Sequence, residues 1–173
     1  MDRRVGDGDL AAVLAYEFAV WFERNGAQGS LPTAFSGITK DGKQVIFFLT
    51  GFPFNHVQRR DFLIWLCRAE QFVAYVYGTH VERIDRASNV TEGVEISASS
   101  DRNDVSQSLR VERLPDGTFK ISEEHYAVMP VSPENGIYCG LLQRPADQIS
   151  NDDQEWFRKL WKDAAPHVMW RQR

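Results

Sequence analysis

The stretch from Phe62 to Val81, FLIWLCRAEQFVAYVYGTHV, constrains the fold more than any other part of the chain. Phe62 to Cys67 are apolar without interruption, more than one stripe of an amphipathic helix requires, so the helix they end is expected to be buried over most of its circumference. After a short break, the aromatic and β-branched residues from Phe72 onward predict a long strand to Ile84. Through Val76 this strand reads as scaffold. Past Gly78 it turns polar at His80 and Glu82, so any function of the segment is expected at that end.

The remainder of the chain has to cover these two elements, and its length suffices. At 173 residues it fits one domain that buries a core without disulfides or metal. Hydrophobic residues are 43% and charged residues 25%, a folded composition far from the disordered class. Lys and Arg number 20 against 24 Asp and Glu, a formal charge of −4 that gives no electrostatic case for non-specific binding to nucleic acid. Cys67 and Cys139 are far apart and lack CxxC spacing; Cys67, inside the apolar helix, reads as a small buried thiol, and a reducing compartment is the simplest setting. The apolar run from Leu10 to Phe22 is interrupted by Glu17, preceded by Asp7 and Asp9, and followed by no small-residue cleavage site, unlike a signal peptide. No run has the ~20 apolar residues of a membrane span. The expected location is cytoplasmic.

Asp9 is a fair N-cap for a first helix in which Leu10, Val13, Leu14, Phe18, Trp21 and Phe22 recur on one side, with Asn25-Gly26 as its stop. A polar, glycine-containing loop follows. Asp41-Gly42 then divides two apolar stretches and predicts a hairpin with strands at 33–39 and 44–50, the second apolar on both faces and so expected at the sheet centre. Asn55 with Gln58 forms a plausible capping box for the second helix. After the strand to Ile84, a turn over 85–91 leads to a half-buried strand at 92–99, where Val94, Ile96 and Ala98 alternate with polar residues. The segment SDRNDVS, 100–106, is expected to be the most mobile part of the chain.

The next two strands, Gln107–Leu114 and Thr118 to Tyr126, flank Pro115-Asp116-Gly117. A type I turn followed by a left-handed glycine places Leu114 opposite Thr118. Counting outward puts Glu112 opposite Lys120, Val111 opposite Ile121 and Arg113 opposite Phe119. The same count sets Leu109 against Glu123 and Gln107 against His125 on the dry side: either a bulge resets the alternation near Ser122, or these polar groups are held where apolar ones are expected. Ile137–Gln143 reads as an edge strand. Ser150 with Asp153 starts a last helix carrying Trp156, Phe157, Leu160, Trp161 and Ala164, which Pro166 ends, and 167–173 is a basic tail with one aromatic anchor.

The order is helix, two strands, helix, about five strands, helix: a single α+β domain with one mostly antiparallel sheet of about six to seven strands. In layout it resembles the roadblock and profilin-like arrangement, in which a helix-flanked antiparallel sheet often dimerises. The resemblance is one of element order, with no residue motif behind it.

Phosphate-binding glycine loops, HExxH, paired CxxC and GxSxG are absent from the sequence. Two constellations remain. His80 with Glu82 and Glu123 with His125 have the i, i+2 spacing that puts both members of a pair on one face of a strand. Together they could ligate zinc, manganese or iron and activate a water for hydrolysis. Arg59 and Arg60 fall in the first turns of the second helix, where the dipole disfavours cations, and with His56 they form a candidate anion clamp.

Aromatic residues make up 12% of the chain. Phe52, Phe54, Tyr75, Tyr77 and Trp170 lie in segments that one sheet and three helices leave uncovered, and contiguous apolar surface marks an interface. The leading expectation is a non-enzymatic protein-interaction or regulatory domain, homodimeric and without a cofactor. Its competitor is a metal-dependent hydrolase or nuclease holding a divalent metal at the His/Glu cluster.

Overall fold

A computed structural model describes residues 9–25 and 32–173. The expected helix stop at Gly26, most of the loop after it, and the segment before Asp9 lie outside these residues. The first helix, α1, runs Leu10–Asn25, and Asp9 caps it by accepting the Ala11 N–H at 2.8 Å. The hairpin strands are β1, Ala34–Thr39, and β2, Lys43–Phe48. Then come α2, His56–Ala69, with the Asn55/Gln58 capping box formed in both directions, and β3, Phe72–Ile84. The strands β4, Val90–Ser99, β5, Asn103–Arg113, and β6, Phe119–Pro130, follow as a meander. An irregular segment leads to α3, Asn151–Ala164, and the tail closes the chain as β7, Met169–Gln172.

All seven strands form one antiparallel sheet in the order β6-β5-β4-β3-β1-β2-β7. Residues opposed across an antiparallel pair share a face, so the registers divide the sheet into two sides. On one side, Ala74, Val76, Val94, Ile96, Val105 and Leu109 are buried under α1, which packs across β3, β4, β5 and β6. The helix comes close at Gly78, where an added Cβ would lie 2.7 Å from Phe22 and 2.8 Å from Phe18. A glycine inside this long strand is therefore a packing requirement. On the other side, Phe35, Phe47, Tyr75 and Tyr77 meet Phe62 and Leu66 of α2, Phe157 and Trp161 of α3, and Leu141 and Ile149 of the irregular segment.

Several expectations are corrected. β2 is next to the sheet edge rather than at its centre; its Val45 and Phe47 are buried, while Phe48 on the other face is 48% exposed. The stretch 100–106 is a tight turn followed by the first residues of β5, and Asp104 within it is fully buried. Ile137–Gln143 forms consecutive turns, and the tail supplies the edge strand instead, paired to β2 from Lys43↔Gln172 to Ile46↔Met169. The β5–β6 register is as counted from Arg113↔Phe119 to Leu109↔Glu123; the bulge falls at Glu124, so that Ser108 meets His125 and Gln107 meets Tyr126.

Candidate functional site

Because α1 is centred over β3 to β6, it reaches β1, β2 and β7 only with side chains along its edge. Between that edge and the open sheet face lies a cleft of ≈510 Å3, walled by Leu14, Phe18 and Trp21 and floored by Ser36, Gln44 and Ile46. Its polar end is a closed chain of hydrogen bonds. Arg171 Nε donates to Gln44 Oε1 at 2.9 Å, Gln44 Nε2 donates to Ser36 Oγ at 2.8 Å, and Arg173 grips both oxygens of Glu17 at 2.8 Å. The apolar end is not closed. Trp21 stacks loosely on Phe48, 5.8 Å between centroids, and Ile46 lies beside its cross-strand partner Met169, which is 62% exposed. Trp21, Phe48, Ile46 and Met169 thus form an apolar strip that runs out to the edge strand β7.

This strip is not where the sequence placed the excess aromatic surface. Tyr75 and Tyr77 are buried, and Phe52 and Phe54 pack on Phe62 with centroids 5.3 and 4.8 Å away. Trp170, on the other side of the sheet, remains 36% exposed; it is held by the Ala165 carbonyl at 3.0 Å and leans on Trp161. The cover for the tyrosines comes from the irregular segment: the Tyr138 ring stacks on Tyr77 at 3.9 Å.

The His/Glu residues are not brought together. β4 and β5 separate β3 from β6, about 14 Å at one strand spacing per step. The bulge also splits the second pair, because Glu123 shares the α1 face with Leu109 while His125 shares the opposite face with Ser108. His80 is 3.4 Å from Glu92, not from Glu82. Glu92 accepts two hydrogen bonds from Arg113 at 2.8 and 3.0 Å, chiefly for which its carboxyl titrates below the usual range. Among the described residues no group of three or more His, Cys, Asp or Glu is arranged to hold a metal ion.

Of the candidate anion residues, His56 is exposed at the first position of α2, and Arg60 is tied to Asp61 at 3.0 and 2.9 Å. Arg59 Nε is enclosed with no hydrogen-bond partner among the described residues, and its guanidinium lies beside the Tyr138 hydroxyl.

Sequence reasoning missed the best-connected polar group of the molecule. Asp104 is fully buried at the start of β5. Its Oδ1 accepts from Ser99 Oγ and from the Gly140 N–H at 3.1 Å; its Oδ2 accepts from the Ser132 N–H at 2.8 Å and Asn135 Nδ2 at 2.7 Å. Tyr75 completes the network, donating to the Tyr138 carbonyl at 2.8 Å and accepting from the Leu141 N–H at 3.1 Å. Burial holds its phenol well above the usual tyrosine range. Each donor either belongs to the segment 131–149 or touches it, so the network anchors that segment to the sheet. The thiols offer no reactive alternative: Cys67 and Cys139 are free and buried, and burial raises both.

Comparison of the chain with protein-family models, curated proteins and solved structures finds no match. Among the described residues, no helix is long and apolar enough to cross a membrane.

Proposed function

We propose that the protein is a non-enzymatic interaction domain that assembles as a homodimer through the strip Trp21–Phe48–Ile46–Met169 and the adjoining edge of β7. The observation that carries this reading is the face that the described residues leave open: half-exposed Phe48 and largely exposed Met169 lie beside an edge strand that, among the described residues, pairs with β2 alone. Contiguous apolar surface is costly to leave in water, and burying it favours association.

A second copy is the occupant that suits this surface. Two-fold pairing of β7 with its counterpart extends the antiparallel sheet and sets the two apolar strips side by side. The rim carries both signs of charge, Glu17 against Arg171 and Arg173, as a self-complementary interface requires. At the other edge, β6 is interrupted by the bulge at Glu124 and ends in Pro130, features that discourage strand pairing.

Sedimentation velocity tests the proposal. The expected result is a dimer at micromolar concentration that Phe48→Glu and Met169→Glu each convert to monomer with unchanged circular dichroism. A wild-type chain that stays monomeric to about 100 µM contradicts it.

A further inference from the structure

On the other side of the sheet, where α2 lies against the segment 131–149, the guanidinium groups of Arg60 and Arg144 share a cavity with one carboxylate, Asp61. Arg60 gives Nε and Nη2 to one oxygen of Asp61, which leaves Nη1 without an acceptor among the described residues. Arg144 reaches across from the segment. Its Nε donates to the Cys139 carbonyl at 3.3 Å, and its Nη2 donates to the Pro133 and Gly136 carbonyls, both at 2.8 Å. Carbonyl groups orient a guanidinium without neutralising it, and Arg144 Nη1 has no acceptor among the described residues. Arg68 adds another cation by donating to the Arg144 carbonyl at 2.6 Å.

Arg60 and Arg144 line one cavity of ≈340 Å3 together with Asp61, Gln148 and an apolar wall that includes Ile64 and Pro145. Arg59 is the preceding residue of α2. Through Tyr138 it touches the same Gly136–Cys139 stretch that Arg144 holds, and its enclosed Nε has no partner among the described residues. Partly enclosed cations without counter-charge are costly unless an anion completes them. In the lining of the cavity Asp61 is the one carboxylate against the two arginines Arg60 and Arg144.

We propose that this cavity binds the phosphate group of a small soluble phosphate monoester. Arg60 Nη1, Arg144 Nη1 and the Gln148 amide are the donors, and the Ile64 and Pro145 wall receives the organic part. A phosphate dianion offers these separate donors more charge and more acceptor oxygens than a carboxylate does. The cavity has room for such a molecule. The site is on the opposite side of the sheet from the apolar strip, so its failure and the failure of the dimer are separate results.

The test titrates inorganic phosphate into the full-length chain at low ionic strength and follows backbone amide shifts by NMR. One saturable site with Kd of about 0.1–1 mM is expected, with shifts centred on α2 and 133–149. Arg60→Met should weaken binding about tenfold while leaving the carbonyl ties of Arg144 intact, and acetate should bind about tenfold more weakly than phosphate. Asp61→Asn, which removes the one carboxylate, should tighten binding a few-fold. No saturation by about 10 mM phosphate, equal affinity for acetate, or no change in either variant overturns the proposal.

Discussion

Phe22 and Phe48 project from opposite walls of the same layer, between α1 and one face of one sheet, yet their surroundings differ entirely. Phe22 is fully buried, edge-on to Phe18 and Trp21 at 5.4 and 5.0 Å and packed over Gly78. Phe48 has Trp21 as its ring neighbour at 5.8 Å and leaves about half of its surface in water. Residue type does not separate the two regions; the position of the helix does. Where α1 lies over β3 to β6 the sheet face is core, and burial continues to Ala34, Ser36 and Ile38 of β1 and Gln44 of β2; toward Phe48 of β2 and Met169 of β7 the same face becomes surface.

The sharpest way to break this comparison is to remove an aromatic ring from each half. Phe22→Ala should destabilise the fold by about 3–5 kcal/mol, read as a shift in urea midpoint, because it empties a packed site. The matching loss beneath the irregular segment should be nearly as large. Asp104→Ala leaves the Ser132 N–H without its acceptor and takes one of two acceptors from the Gly140 N–H and the Asn135 amide, and is expected to cost about 2–4 kcal/mol and to expose 131–149 to proteolysis. Gly78→Ala probes the closeness of α1 and should cost about 1–3 kcal/mol, since the rings of Phe18 and Phe22 must move.

At the open end the effects on stability should nearly vanish. Phe48→Ser should change the stability of the monomer by only about 0.5 kcal/mol while weakening self-association at least about tenfold. The smallest effect tests the polar margin of the covered half. The Glu92 carboxyl is lowered in the folded state by Arg113, so the pair stabilises the fold above the unfolded carboxyl pKa, and the contribution is lost as pH falls through the lower folded value. Glu92→Gln should flatten stability against pH across the acid limb by about 0.5 kcal/mol, measured by denaturant titration at each pH.

Much of the fold was legible in the sequence for physical reasons that recur. The Pro115-Asp116-Gly117 turn fixes where the β5–β6 ladder begins, and two-residue alternation carries that register from Arg113↔Phe119 to Leu109↔Glu123. It fails at Glu124: the polar residues that the count sets on the dry side signal a bulge, but alternation does not say at which residue the insertion falls. The capping residues Asn55 and Ser150 located both later helices, since an N-cap is a local bond written in adjacent side chains.

The candidate sites were less legible. Asp104 sits in a polar run that reads as solvent-facing. The alternation of Val105, Gln107, Leu109 and Val111 does start the strand earlier, but whether its other face is wet depends on a segment thirty residues away. Tyr75 and Tyr77 were read as surplus aromatic surface because the cover they need has no periodicity: turns at 137–143 do the work of a helix. Arg59 and Arg60 were visible as misplaced cations, whereas Arg144, which completes their cavity, stands in a stretch with no signal of charge clustering.

The claim that the open half of the sheet is a contact surface is tested most directly by amide hydrogen exchange at both sheet edges as a function of protein concentration. The account predicts that protection of Met169–Gln172 in β7 rises with concentration while that of β6 stays constant. Concentration-independent exchange at β7, or protection that grows at β6 instead, would contradict it.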